Sequence, residues 1–464
     1  MNERRWNRRF NFTGENSKGS LTEGSVIKGF LLFALPLFLG SLFQQLYGTT
    51  DLIFVGNFMG KTEAAAVGAS SILSTCLIGL FTGISVGAGV ITGNFQGAGE
   101  KERVRNSIEN ALALAFFGGL FLMMLGQVLA EQALIWLNTP ENIMKEALTY
   151  VRIYLMAVLS MILYNMCAGI FRALGDSKTP FLVLAAGGIL NVGMDALIIV
   201  SLHQGVAGAA VATLISQTFT TVVLLFLLFR REKLWKGKWN VTPEMLFLII
   251  KTGVPLGIQS VILTISNIFV QYYINGFGEN AIAAFTVYFK AENFLYLPIM
   301  AFGQAMVTFT SQNVGADKYE RIKKAEISCN LVAALIIGGL AALLLCIDRK
   351  FTGIFCKDPD VISVACQIIH ITFPFYFIYS IMELTGSVVR GLKKTFLSMV
   401  IVIVDLCLVR VLILAWLVAY FHSVSMVAMV YPMTWLLAMF SFLLCYRKSE
   451  LFRSFKKNIP HRGL

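Results

Sequence analysis

The stretch RREKLWKGKWNVTPE, Arg230 to Glu244, decides the fold, because it is the longest polar run between apolar segments in the chain. Reading outward, apolar spans precede it at about 28–56, 64–93, 108–130, 146–171, 180–201 and 206–229. Six more follow at about 246–275, 281–311, 327–347, 362–389, 396–419 and 424–446. A bilayer core about 30 Å thick needs roughly 20 apolar residues per crossing helix. Each segment is long enough, so the run joins two groups of six spans.

Composition agrees with this reading. Of 464 residues, 57% are hydrophobic and 14% charged, and the mean hydropathy is +0.73. Soluble domains average about 45–50% apolar and about 25% charged, which excludes an ordinary water-soluble enzyme. The net charge of +12 would suggest a nucleic-acid partner, but thirty of the 38 Lys and Arg lie in patches at 1–28, 101–105, 172–178, 230–251, 318–324, 390–394 and 447–462. Every patch follows an even number of spans, which is the positive-inside pattern. No nucleic-acid partner is expected, and both termini are expected in the cytoplasm of a cell (inner) membrane. The first 25 residues are polar and basic, and the apolar run after them is too long for a signal h-region. The eight cysteines show no C-x-x-C spacing and read as packing residues. The chain contains no H-E-x-x-H, Walker A or G-x-S-x-G motif, so neither an enzyme nor an ATP-driven pump is expected.

The two groups of six resemble each other. Pro36 and Ser41 correspond to Pro255 and Ser260, Gly87 to Gly303, Gln96 to Gln312, Arg103 to Arg321 and Arg172 to Arg390. An even number of spans per repeat makes the halves parallel. The expected fold is therefore all-α: twelve transmembrane helices in two parallel six-helix bundles related by pseudo-two-fold symmetry about the membrane normal. The divisions are a tail 1–27, a first lobe 28–229, a linker 230–245, a second lobe 246–446 and a tail 447–464. Such repeats suit a secondary transporter whose halves rock about a central site. Gly79, Gly83 and Gly87, with Gly89, Gly93 and Gly97, read as close helix packing. Pro36, Pro255, Pro298, Pro374 and Pro432 each remove one helical hydrogen bond.

Ionisable residues inside spans cost about 2.5–3.5 kcal/mol each at a helix centre, so those present need a reason. They are Asp51, Asp195, Lys290, Glu292, His370, Glu383, Asp405 and Arg410. Asp405 and Arg410 could pair with each other or with a neighbour, and Lys290 could pair across helices. His370 reads as a solvated or packing residue near a span end. Asn191 and Asp195 share one helix face at a spacing of four. With Asp51 they form a candidate pocket whose acids a gradient can load and unload. Glu292 and Glu383 have Tyr288, Tyr376 and Tyr379 near them in sequence, which suits a bulky organic cation through charge and cation–π contacts.

The duplicated halves, Pro36 and Asp51 in the opening span, the glycine repeat leading to QGAGE, FRALGDSKTPF after the fourth span and NVGMD in the fifth resemble the multidrug and toxic compound extrusion (MATE) family, from about Ser25 to Lys448. The resemblance implies a cation-coupled exporter of organic cations working by alternating access. It implies a coupling site at Asp51, Asn165, Asn191, Asp195 and Thr213, with the acids in the second half as an alternative. No cofactor is expected beyond H⁺ or Na⁺ as coupling ion, with Asp51 and Asp195 as the metal ligands if the ion is Na⁺. The expected partners are small organic cations and the lipid bilayer, and the expected state is a monomer. A lipid-linked saccharide flippase of the same superfamily is the alternative.

Overall fold

The computed structural model describes residues 21–58, 61–136, 139–202, 204–235 and 237–457; the side chains of 47–53, 55–77 and 450–457 lie outside the described set. Residues 1–20 and 458–464 of the expected tails therefore lie outside the described residues. Twelve helices are long and apolar enough to cross a membrane, and no strand occurs among the described residues. We number the helices α1 (Val26–Phe58), α2 (Lys61–Ala98), α3 (Lys101–Trp136), α4 (Glu141–Ala173), α5 (Lys178–Ser201) and α6 (Gly205–Arg231). After the linker come α7 (Pro243–Asn275), α8 (Glu279–Gly315), α9 (Tyr319–Cys346), α10 (Pro359–Gly391), α11 (Thr395–Phe421) and α12 (Val424–Lys457). A short helix, Asp348–Phe355, connects α9 to α10.

The chain punctuates these helices as its chemistry requires. Pro36, Pro255, Pro298 and Pro432 lie inside helices, while Pro374 sits in a single 3₁₀ turn, Phe373–Phe375, that divides α10. After α4 the chain turns through Gly175 at φ +85°, a conformation that favours glycine. Asp176 then accepts hydrogen bonds from Lys178 N at 3.1 Å and Thr179 N at 3.0 Å, satisfying donors at the start of α5, and pairs with Arg231 Nη1 at 3.0 Å. The FRALGDSKTP motif thus builds a helix start and ties α5 to α6.

The linker is docked rather than loose. Asn240 N donates to Glu109 Oε2 at 2.8 Å, and Thr242 N donates to Asn110 Oδ1 at 2.9 Å. Glu109 is buried in α3 and is held by Arg105 Nε at 2.8 Å.

Among the described residues, contacts between the two groups of helices gather at the linker end. There α2 lies directly against α7: Gly83 faces the Gly257 backbone, and Gly87 faces that of Gly253. Nearer the helix ends, Gly97 meets the Gln312 backbone and Gly315 that of Asn94. Any side chain there would force the backbones apart, so the glycine spacing serves close approach. Gln312 bridges the groups by accepting from Leu21 N at 2.9 Å and donating to Ala173 O at 2.8 Å. Lys393 Nζ donates to Asn94 Oδ1 at 2.5 Å; burial lowers the pKa of this lysine, opposed by the nearby charge of Glu100. Arg321 donates to the carbonyls of Leu21, Glu23 and Gly24, and so straps the segment before α1 onto the second group.

Helix α1 belongs to both groups. Phe30, Phe33, Ala34 and Leu37 pack in the core of the second group, with Phe30 and Phe302 ring centroids 5.6 Å apart. Near its far end, Phe54 packs with Tyr150, Ile199 and Val206 of the first group.

Candidate coupling and substrate sites

The first candidate site lies in α4, α5 and α6, with α1 packed against α5. Asn191 and Asp195 are completely buried in α5, Thr213 is buried in α6, and Asn165 is half-buried in α4. Asn165 Nδ2 donates back to Met161 O at 2.9 Å. Neither the amide nitrogen nor the carbonyl oxygen of Asn191 has a hydrogen-bond partner among the described residues. A buried amide without partners costs about 1–3 kcal/mol. The side chain of Asp51 lies outside the described residues; its helix reaches this region through Phe54, one turn further on.

Immediately after Asp195 the hydrogen bonding of α5 changes to a π-helical pattern over Ala196–Ser201. Insertions of this kind are rare and concentrate at functional sites. The second group carries a counterpart at Val402–Leu408 in α11, which contains the buried Asp405. The expected Asp405–Arg410 pair does not form. Arg410 instead places its guanidinium 5.0 Å from the Tyr431 ring centroid; a spacing of five residues sets the two side chains about 140° apart around an α-helix. Lys290 is exposed on α8, away from any pairing across helices, and His370 pairs with Asp348 at 3.0 Å.

The candidates in the second half separate into two places. Tyr288 and Tyr376 are fully buried within the second group; their hydroxyls are 3.3 Å apart, and Tyr376 donates to Glu292. Tyr379 stacks on Tyr296 and lies 5.1 Å from Trp435. These rings clasp Glu292 inside one group. Glu383 lies elsewhere, on a cavity of about 260 Å³ between the groups. Among the described residues no aromatic side chain lines that cavity, so the structure groups the aromatic rings with Glu292 and not with Glu383. Its walls, from α2, α4, α7, α8 and α10, mix glycines and short polar side chains with the apolar Val86, Leu256, Leu263, Met300 and Val307.

Sequence reasoning missed two cavity residues, Arg172 and Arg390. Both stand at span ends, where a cation reads as part of a loop patch. Their correspondence between the repeats was the available signal, since residues related by duplication can meet at a common interface. Arg390 pairs with Glu383 and also donates to Ser387 Oγ at 2.6 Å. Arg172 Nη1 donates to Gln304 Oε1 across the interface at 3.1 Å.

With the geometry in place, comparison with known proteins is informative. The MatE family profile matches twice, over residues 36–197 and 255–417, once in each group of six helices. A probable multidrug resistance protein of Bacillus subtilis, YoeA, is 28% identical over 378 residues, covering 79% of this chain and 81% of that protein. A probable multidrug resistance protein of Thermotoga maritima, NorM, is 24% identical over 405 residues, covering 85% and 86%. Among solved structures, an outward-facing multidrug resistance MATE transporter of the MOP superfamily superposes with a TM-score of 0.88 at 21% identity, covering 95% of this chain and 100% of that one. The twelve apolar helices, the repeated motif set and the double family match together make this chain a multi-pass membrane transporter belonging to the MATE family.

Proposed function

We propose that this chain is a secondary active multidrug exporter that antiports organic cations against H⁺ or Na⁺ by alternating access. In this reading it works as a monomer in the cell membrane with both termini in the cytoplasm. Residues 28–229 and 246–446 act as parallel lobes about an axis along the membrane normal. The basic patches place the linker end at the cytoplasm; the interlobe contacts gather there, which corresponds to an outward-facing state. The coupling ion loads at Asp51 and Asp195, supported by Asn165, Asn191 and Thr213, and is written here as cargo rather than as a resident cofactor.

The observation that carries this reading is the buried, unpartnered amide of Asn191 one turn from the buried Asp195. A hydrated ion or proton relay satisfies such groups, whereas a purely structural role would close their hydrogen bonds within the helix bundle. Efflux of a cationic dye from energised vesicles, with and without protonophore or a Na⁺ gradient, tests it. Dye extrusion that collapses with the ion gradient is expected. Extrusion indifferent to both gradients would overturn it.

A second reading, a flippase for lipid-linked saccharides, is favoured by the two arginines on the interlobe cavity, since an anionic lipid headgroup would seek them. Glu383 neutralises one of the two, which leaves the exporter reading in front.

A further inference from the structure

We propose that Arg172 is the carboxylate-binding residue of the interlobe cavity, so that the preferred cargo carries a carboxylate as well as a basic nitrogen. This rests on the multidrug-export reading and narrows its substrate class.

Three charged side chains line the cavity: Arg172, Glu383 and Arg390. Two of them cancel. Glu383 Oε1 accepts from Arg390, and Ser387 Oγ lies between them, 2.6 Å from Arg390 Nη2. Among the described residues Arg172 has no such partner: its one hydrogen bond there runs to Gln304 Oε1 at 3.1 Å, and an amide oxygen carries no charge to neutralise it. The net fixed charge of the cavity is therefore that of one guanidinium. An arginine presents five N–H donors in a planar fork that matches a carboxylate, and Gln304 takes only one.

The other end of the ligand is read from the same wall. Arg172 and Glu383 contact consecutive residues of α8, Arg172 at Gln304 and Glu383 at Gly303. A Cβ at Gly303 would lie 2.8 Å from Glu383 Oε1. The second oxygen of Glu383 makes no hydrogen bond among the described residues, and neither does the buried Oε1 of Gln259, another lining residue. The cavity thus offers a free donor fork on one side and free acceptors on the other. A permanent cation without an acid group uses only the acceptors and meets the charge of Arg172 unscreened. An amphoteric molecule, with a carboxylate toward Arg172 and a protonated nitrogen toward Glu383, uses both. The bond between Arg172 and Gln304 also joins the two lobes, so a role as a latch is the competing account.

Binding of an aminoacridine carboxylic acid and its methyl ester to the full-length protein in nanodiscs, followed by fluorescence anisotropy, separates the two. The compounds share the cation and differ only in the anion. In the wild type the acid is expected to bind about tenfold or more tightly than the ester, the size of a charge-assisted hydrogen bond. In Arg172→Gln the ratio is expected to fall to near one. In Arg172→Lys, which keeps the charge but loses the fork, it is expected to lie between. A wild-type ratio near one, or a ratio unchanged in Arg172→Gln because both compounds weaken together, overturns the proposal. Vesicle efflux of the same pair keeps the two readings apart. If neither compound is exported while the binding ratio behaves as stated, the export reading fails and the carboxylate site stands.

Discussion

Replacing Gly253 with Ala puts a Cβ 2.7 Å from Ile84 Cα and 3.0 Å from Ile84 O on the facing helix. Carbon atoms in contact sit about 3.5–4.0 Å apart, so α7 must withdraw from α2 by about 1 Å. The obstacle is backbone, which cannot rotate out of the way. Overpacking of this kind costs about 1–3 kcal/mol, and about 1.4 kcal/mol is a factor of ten in population. Because α2 and α7 belong to different lobes, the cost falls on the arrangement closed at the linker end. The variant is expected to lose roughly five- to 150-fold of that arrangement relative to one in which the lobes part there. Spin labels at Lys101 and Lys323, two exposed positions at the linker end of α3 and α9, report the change as a longer distance in a background without the eight native cysteines. An unchanged distance distribution, together with undiminished efflux, would refute the claim that glycine contacts hold the lobes closed at this end.

Two further substitutions probe the polar groups. Asn191→Leu removes the unpartnered amide and is expected to raise stability by about 1 kcal/mol or more while abolishing ion-driven efflux; a lower melting temperature would show that the amide is satisfied. Glu109→Ala leaves Asn240 N without its buried acceptor, and trypsin cleavage at Lys238 is expected to accelerate about tenfold as the linker detaches. Unchanged cleavage would show that the bond to Glu109 is dispensable and that the ties to Asn110 hold the linker without it.

The twelve helices were legible because hydropathy over 20 residues is a strong signal, and the basic patches fixed which turns share an end. The glycine spacing correctly announced close approach, although only the fold reveals that α7 and α8 are the partners. What the sequence could not carry was facing. Tyr288 and Tyr376 stand on the same side of the linker as Glu383 and read as neighbours of one cleft, yet they close around Glu292 within a lobe. The π segments at Ala196–Ser201 and Val402–Leu408 leave no mark on apolar periodicity, since most residues within them are apolar. Asp405 and Arg410 stand five residues apart, a spacing that puts them on different faces of a helix, where only i,i+3 and i,i+4 side chains meet. Glu109 was passed over at the edge of a span, where an acid is unremarkable until a distant linker is found bonded to it.

Ion coupling in the proposed exporter resides in the first lobe. It is tested most directly in proteoliposomes carrying the Asp51→Asn/Asp195→Asn double variant, with gradient-driven efflux and equilibrium binding of the same cationic dye measured side by side. One-for-one exchange of a monovalent ion and drug moves no net charge. The imposed pH or Na⁺ gradient should therefore be varied separately from the membrane potential, which is worth about 2.3 kcal/mol per charge per 100 mV. The account predicts that the double variant binds dye but shows no efflux above leak under either ion gradient. Full gradient-driven efflux by the double variant would contradict it and move the coupling site to Glu292 and Glu383.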